Sequence, residues 1–402
     1  MKEKSHLKID RINFSEQKEW IITQSGITHY TGGYFNVTGI KSEFSGDEQV
    51  VFYQPQSALT GLLMCQIDNQ IFIQTQARVE PGVTGDIQYG PTIQTTAANY
   101  MKYHGGKPTS NLEMFHNLCP QTNLISFSMQ LDLGEKYYKK SKSHHYIETQ
   151  ELSETSENLV WVPLEVIAKT LTKDYFLNTD FRSLLAVFDW DAYLKRTRGN
   201  NPPLSSEILT DFFKRKNSYK NSWKISGIDK LTGWQLTDEG IKDHCNSGVS
   251  VNMYNITCDT REVQSWNQPL MEAKGTGQVV LLMRKLAGEY EFLLSIIEEF
   301  GLNESIAIGP SFLNYPKMES KKVEIPGDIV KKFQHSDEGG RFYHNDSKYV
   351  VYEVDQNYPI SDGQYWVNGF TLKKILAASN MAAIQLRCIC SAVLKELNPN
   401  TF

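Results

Sequence analysis

At 402 residues, with 40% hydrophobic and 22% charged side chains, the chain has the composition of a folded globular protein, and its length suits about two domains. A net charge of −5 excludes the basic excess that a phosphate backbone demands, so nucleic acid is not an expected partner. The six cysteines form no CxxC and no His/Cys cluster of zinc spacing; they are expected as free buried thiols, with no metal.

From the amino terminus, MKEKSHLKIDRINFSEQKEW lacks the apolar core of a signal peptide, and no later run approaches the ~20 apolar residues that span a bilayer. A cytoplasmic protein with no membrane partner is the expectation. Residues 24–42, QSGITHYTGGYFNVTGIKS, gather His29, Tyr30, Thr31 and Tyr34 around the Gly32-Gly33 pair. A turn needs only the glycines. The hydroxyls and the imidazole suit either half-buried hairpin packing or the wall of a binding site. QVVFYQP, GLLMCQI and QIFIQTQARVE follow as short strands rich in β-branched and aromatic residues. Arg78 and Glu80 end the third strand two residues apart, hence on one face, ahead of a Pro-Gly turn. They are either a surface ion pair or charges held over a pocket.

Further on, TIQTTAANYMKYHGG offers Gln94, Thr95 and Asn99 for hydrogen bonds, Tyr100 and Tyr103 for stacking, and Lys102 and His104 for a phosphate; the plain alternative is a polar loop entering a helix. NLEMFHNL is a short helix. KYYKKSK, residues 136–142, is expected as a solvated basic face before another strand. PLEVIAKTLTKD and TDFRSLLAVFDWDAYLKR carry helical patterns, the second apolar at Phe181, Leu184, Leu185 and Phe188. KRTRGNNPPLSSE has linker composition, and Ser205 or Ser206 caps the helix EILTDFFKRK beyond it. The final apolar helix, LKKILAASNMAAIQLRCICSAVLKEL, is expected to be buried, inside the chain or against another subunit.

The second half repeats the first. SGITH at Ser25 matches SGIDK at Ser226, Gln54-Pro55 matches Gln268-Pro269, GLLMCQI matches GQVVLLM, and IQYGPTIQ matches IAIGPSFL. LDLGEKYYKKSKSHHYIE lies over SDEGGRFYHNDSKYVVYE without a gap, with Asp132/Asp337, Gly134/Gly339, Tyr138/Tyr343 and Glu148/Glu353 identical. Trp161/Trp366 and Arg182/Arg387 continue that register. The tryptophans are expected as core anchors and the arginines as structural ion pairs. The organisation that follows is a first unit at 1–196, a linker at 197–206 and a second unit at 207–402. Each has strands first and helices last, an α+β fold with a mixed sheet packed by helices.

GITHYTGGYFNVTGI, QTQARVEPG, GPTIQTTAANYMKYHGG and DEGGRFYH, in this order over nearly the whole chain, resemble the NDP-hexose 2,3-dehydratases. The resemblance implies two tandem Nudix-like units, a homodimer, no cofactor and no metal for the chemistry. It implies as substrate a nucleotide-linked 4-keto-6-deoxyhexose, most often carried on thymidine diphosphate, and as product a 3,4-diketo-2,6-dideoxy sugar. The second unit departs from the pattern: IIEEFGLNESIAIGPSFLNYP has lost the Pro-Gly and the polar run after Gly-Pro. The reaction is therefore expected in the first unit, with the second structural or an auxiliary nucleotide site.

In such a substrate the C4 ketone acidifies the C3 proton and stores the charge left by its removal. Elimination then needs a base near C3, a donor for the C4 oxygen and an acid for the C2 hydroxyl. Glu80, His29 and Tyr100 are the expected catalytic groups. Tyr30, Thr31, Gly32, Gly33, Arg78, Gln94, Thr95, Asn99 and His104 are expected to bind substrate. Arg341, Tyr343 and His344 of DEGGRFYH are expected to form an auxiliary nucleotide site or to complete a pocket across a subunit boundary. A Nudix hydrolase is disfavoured, because no segment carries the glutamate-rich pattern that holds Mg²⁺. A non-catalytic sugar-nucleotide binder is the other alternative, opposed by the well-kept first unit.

Overall fold

The computed structural model describes residues 6–85, 87–103, 105–116, 122–155, 158–195, 202–244, 248–316 and 323–402. Strands Ala58–Ile67 and Gly277–Leu286 are buried along most of their length, as strands covered on both faces must be. They lie inside two seven-stranded sheets of matching order. The first sheet runs Thr122–Leu131, Ser141–Thr149, Ala58–Ile67, Gln70–Val79, Leu159–Pro163. The second runs Asp328–Ser336, Asp346–Glu353, Gly277–Leu286, Glu289–Glu298, Gln364–Asn368. Ile87–Gly90 and Ile93–Thr95 flank the first as Ile306–Gly309 and Phe312–Asn314 flank the second. Each sheet is mixed, with one parallel pairing in the same place. The α+β expectation holds.

Two further sheets, each six-stranded, exchange strands between the halves. Trp20–Thr23, Gly26–His29, Asn36–Ser42, Glu48–Tyr53 and Tyr137–Tyr138 form one, and its remaining strand, Trp223–Ser226, arrives from beyond the linker to pair with Asn36–Ser42. The other is built from Trp234–Thr237, Gly240–Asp243, Val249–Thr257, Ser265–Ala273 and Phe342–Tyr343, and it takes Lys8–Ile12 from the amino terminus. One hydrophobic core follows from this interlocking, joining Phe14, Ile27 and Phe52 to Ile241, Met271 and Phe342.

The topology corrects two of the sequence matches. The counterpart of Gly26-Ile27 is Gly240-Ile241, in the hairpins that begin at Trp20 and Trp234, whereas Gly227 follows an exchanged strand. Pro269 lies within its strand opposite Met253, whereas Pro55 lies past the end of Glu48–Tyr53.

Helices Thr179–Val187 and Ile384–Cys390 are buried and pack on each other. They carry Arg182 and Arg387, which have no ion pair among the described residues, contrary to expectation. Arg182 donates to the carbonyls of Leu171 and Lys173 and to the Ser391 hydroxyl. Arg387 donates to the carbonyls of Ala382 and Leu131 and to the Ser183 hydroxyl. Fixed oxygens of this kind hold a buried guanidinium without a carboxylate, although the Arg182 Nε has no hydrogen-bond partner among the described residues. Trp161 and Trp366 are half-buried beside small satellite clusters. The expected final helix is broken into Gly369–Ala377, Ile384–Cys390 and Leu394–Leu397, with Ala378 extended and Asn380 at φ +56° between the first two. Its apolar faces are covered within the chain, by Thr179–Val187 and the second seven-stranded sheet. Among the described residues no helix is long and apolar enough to cross a membrane.

Candidate active site

His29 ends the strand Gly26–His29, and Gly32 at φ +66° turns the chain back toward Asn36–Ser42. The His29 Nδ1 accepts the Thr31 backbone N–H at 3.3 Å and lies 2.8 Å from the Thr31 hydroxyl, which places the ring proton on Nε2. Trp20, Tyr30 and Tyr34 surround this ring with centroids 5.1, 4.7 and 4.5 Å away. Burial lowers the His29 pKa, so the imidazole is neutral at physiological pH. A Cβ on Gly33 would lie 2.0 Å from the Tyr103 ring, so only glycine lets that tyrosine rest on the hairpin. His29, Tyr30, Tyr34 and Tyr103 line a cavity; Thr31, Gly32 and Gly33 shape its hairpin without lining it.

Glu80 stands on the same cavity, 5% exposed. The Arg78 Nε lies 3.4 Å and the Gln94 Nε2 3.3 Å from its Oε1. Gln94 in turn accepts a 2.7 Å hydrogen bond from Asn178, whose Oδ1 caps the helix Thr179–Val187 through the Phe181 N–H. The carboxylate is thus fixed through two amides to a helix start. Its turn is fixed from the second half: the Gly82 N–H donates to Gly339 O, and Gly82 O accepts the His344 N–H, both at 2.8 Å. A Cβ at Gly82 would lie 1.7 Å from Phe342 O. Thr95 and Asn99 also line this wall.

The second half adds Arg261, Trp266, Asn267, Gln268, Glu338 and Arg341 to the same lining. The deep end overturns the solvated reading of KYYKKSK. Lys136, Lys140 and Lys142 are buried, and Lys139 alone of the four lysines is exposed. The Lys142 Nζ lies 2.8 Å from Asp180, 3.0 Å from Glu338 and 3.5 Å from Asp132. Burial opposes its charge, but the three carboxylates outweigh burial and hold its pKa well above the usual lysine value. Burial also raises Asp180, whereas Lys142 and Arg341 overcome the burial of Glu338 and hold it low; of the two, Asp180 takes a proton first. Lys140 differs. Its Nζ donates to Gln54 Oε1 at 2.8 Å and to Gln56 O at 2.9 Å, and the same Gln54 oxygen receives Arg341 at 2.6 Å. Burial and then the Arg341 charge lower its pKa to about 7.

Of the remaining expected residues, Tyr100 lies off the lining, its ring 5.8 Å from that of His116. Tyr343 stacks on Tyr254 at 4.9 Å and on His344 at 4.2 Å, also off the lining. Arg341 lines the pocket together with first-half residues of the same chain. His104 and residues 197–201 of the linker lie outside the described residues. In the second half Glu299 is the counterpart of Glu80, with Ile297 and Leu313 where Arg78 and Gln94 stand. Glu299 accepts the Gly134 N–H at 2.9 Å and the Tyr315 hydroxyl, and burial pushes its pKa up to about 7. Lys140, Lys142, Asp180 and Glu338 were missed from the sequence. Lys142, His144 and Tyr146 alternate onto one buried face of the strand Ser141–Thr149, but that period does not name the partners a buried lysine needs.

Glu80, Lys140, Lys142 and Arg341 thus meet on one polar and aromatic cavity, the setting in which an enzyme's substrate site is expected. The chain belongs to the NDP-hexose 2,3-dehydratase family, whose model matches residues 1–188 and 205–393. It is 23% identical to a dTDP-4-dehydro-6-deoxy-alpha-D-glucopyranose 2,3-dehydratase of Amycolatopsis orientalis, over 96% of this chain and 86% of that protein. Proteins of the same description from Streptomyces violaceoruber and Saccharopolyspora spinosa are each 24% identical, over 91% and 96% of this chain and 88% and 87% of their own.

Proposed function

We propose that the protein removes water across C2 and C3 of a dTDP-linked 4-keto-6-deoxyhexose, the reaction for which its relatives are named, giving the 3,4-diketo-2,6-dideoxy sugar. The observation that carries this reading is a single cavity lined by Glu80, anchored by Arg78 and Gln94, together with Arg341 and Lys140. Glu80 takes the C3 proton. The charge passes to the C4 oxygen, where the permanently charged Arg341 stabilises it in a low-dielectric setting. The neutral His29 offers an Nε2–H donor near the mouth. Arg78 and Arg261 suit the diphosphate, and Tyr30 and Trp266 suit the base. The fold is read as two tandem Nudix-like units, 1–196 and 207–402, joined at 197–206 and working as a cytoplasmic homodimer. The second unit lends Glu338 and Arg341 to the first unit's site.

The test is incubation of the purified protein with dTDP-4-keto-6-deoxyglucose, followed by mass spectrometry. The expected result is loss of one water with no added NAD, pyridoxal phosphate or metal, undiminished by EDTA. Turnover that required a divalent metal would favour the hydrolase alternative, and tight binding without turnover would favour the binder.

A further inference from the structure

Lys140, just ahead of the strand Ser141–Thr149, and Lys142, within it, are both buried and have opposite surroundings. Lys142 meets three carboxylates. Among the described residues Lys140 meets carbonyl oxygens, Gln54 Oε1 and Gln56 O, and shares the first with Arg341. A tetrahedral amine that gives two N–H groups to fixed carbonyls has one position left. That position holds either a third N–H or a lone pair, and Lys140 lines the cavity in which a substrate would meet it.

We propose that Lys140 is the acid that protonates the departing C2 hydroxyl. This rests on the dehydratase reading above and adds a catalytic residue to it. After Glu80 has taken the C3 proton, the enolate pair re-forms the C4 carbonyl and the C3 pair makes the C2–C3 double bond. The C2–O bond breaks with its electrons on oxygen, and that oxygen takes the third proton of Lys140 and leaves as water. Lys140 is left as a neutral amine and regains its proton from solvent. The product enol loses its O–H proton and gains one at C2, which yields the diketone.

The surroundings suit an acid of this kind. Burial lowers the Lys140 pKa first and Arg341 second, to about 7, against partial support from Asp132 and Glu338; Lys142 adds to the lowering. The ammonium is therefore a far stronger acid than an ordinary lysine, and the amine left behind is the form its site favours. The proton is present below about 7 and lost above it, so turnover should fall as pH rises through that range.

The experiment compares wild type with Lys140→Met and Lys140→Arg in D₂O, following both dehydration of dTDP-4-keto-6-deoxyglucose and exchange of its C3 hydrogen. Dehydration is expected to fall ~10²–10⁴-fold in both variants. C3 exchange should continue in both, because the base is intact and only the exit of hydroxide is blocked. The alkaline fall in turnover should vanish from the residual activity. Arginine fails too, since a guanidinium does not give up its proton. A folded Lys140→Met protein that dehydrates within a few-fold of wild type overturns the proposal, and so does one that loses exchange and dehydration together. A wild-type protein that neither exchanges nor dehydrates instead removes the dehydratase reading, and Lys140's role with it.

Discussion

Replacing Glu80 with Gln is expected to slow dehydration at least ~100-fold, the scale of one acid–base contribution, while leaving the fold intact. Glutamine keeps the volume and one carbonyl oxygen for Arg78, so no cavity opens and no cation is stranded. What it loses is the ability to take a proton. Arg78 and Gln94 both give hydrogen bonds to the same Glu80 oxygen, Oε1, whose place the glutamine carbonyl oxygen can take. Turnover of dTDP-4-keto-6-deoxyglucose, with a thermal melt as control, checks this. Exchange at C3 should disappear along with product, in contrast to the Lys140 variants. A well-folded Glu80→Gln protein with near-normal turnover would move the base to His29, the other expected catalytic group on the cavity wall. Tyr100 could not take over without a rearrangement, because its ring lies against His116 instead.

The parts of this site that were legible in the sequence are those whose chemistry is local. The hairpin around Gly32-Gly33 announces itself because aromatic and hydroxyl residues crowd two glycines that each have a conformational or steric task. Arg78 and Glu80 share a strand face by the period of two, and that face meets the cavity. The buried lysines were illegible for the converse reason. A lysine is buried only where opposite charge or carbonyl oxygen meets it. For Lys142 the two nearest of those partners, Asp180 and Glu338, lie 38 and 196 residues away. Nothing in KYYKKSK reports that. The strand exchange was hidden similarly: Lys8–Ile12 and Trp223–Ser226 are short segments of like length, and their own patterns do not say which sheet edge each will join.

The duplication was legible, but its consequence was not. The clasp that fixes the turn after Glu80 is made twice. Gly301 N–H donates to Gly134 O, and Lys139 N–H donates to Gly301 O, as Gly339 and His344 serve Gly82. The turn after Glu299 therefore keeps its backbone bonds although its proline is gone. The two copies differ in side chains. Ile297 and Leu313 remove the cation and the amide, and Tyr315 and the Gly134 N–H take up the Glu299 carboxylate. Loss of polarity in one copy and reach of Glu338 and Arg341 into the other are two faces of one arrangement, in which each half's loop closes on the opposite half's turn.

Lys142→Met is expected to lower folding stability by ~3–5 kcal/mol near neutral pH, more than any loss of packing would explain. Methionine replaces the stem with a similar unbranched chain, so the cavity contribution is small. The electrostatic change is large because the carboxylates it leaves are buried: the Asp132 and Asp180 side chains are 0% and 2% exposed and Glu338 14%. Burial already raises Asp180, and without Lys142 it has only one way to lower its energy, which is to take a proton. Glu338 moves the same way. In the wild type its depressed pKa stabilises the fold above the usual carboxylate range, a contribution lost as pH falls through the folded value. The variant lacks most of that contribution at any pH. The gap between the two proteins should therefore be widest at alkaline pH and narrow on acidification as the orphaned carboxylates protonate. Denaturant titrations at alkaline and mildly acidic pH measure it. Equal stabilities at alkaline pH would mean that Arg341 alone balances the cluster, and the central place given to Lys142 would be wrong.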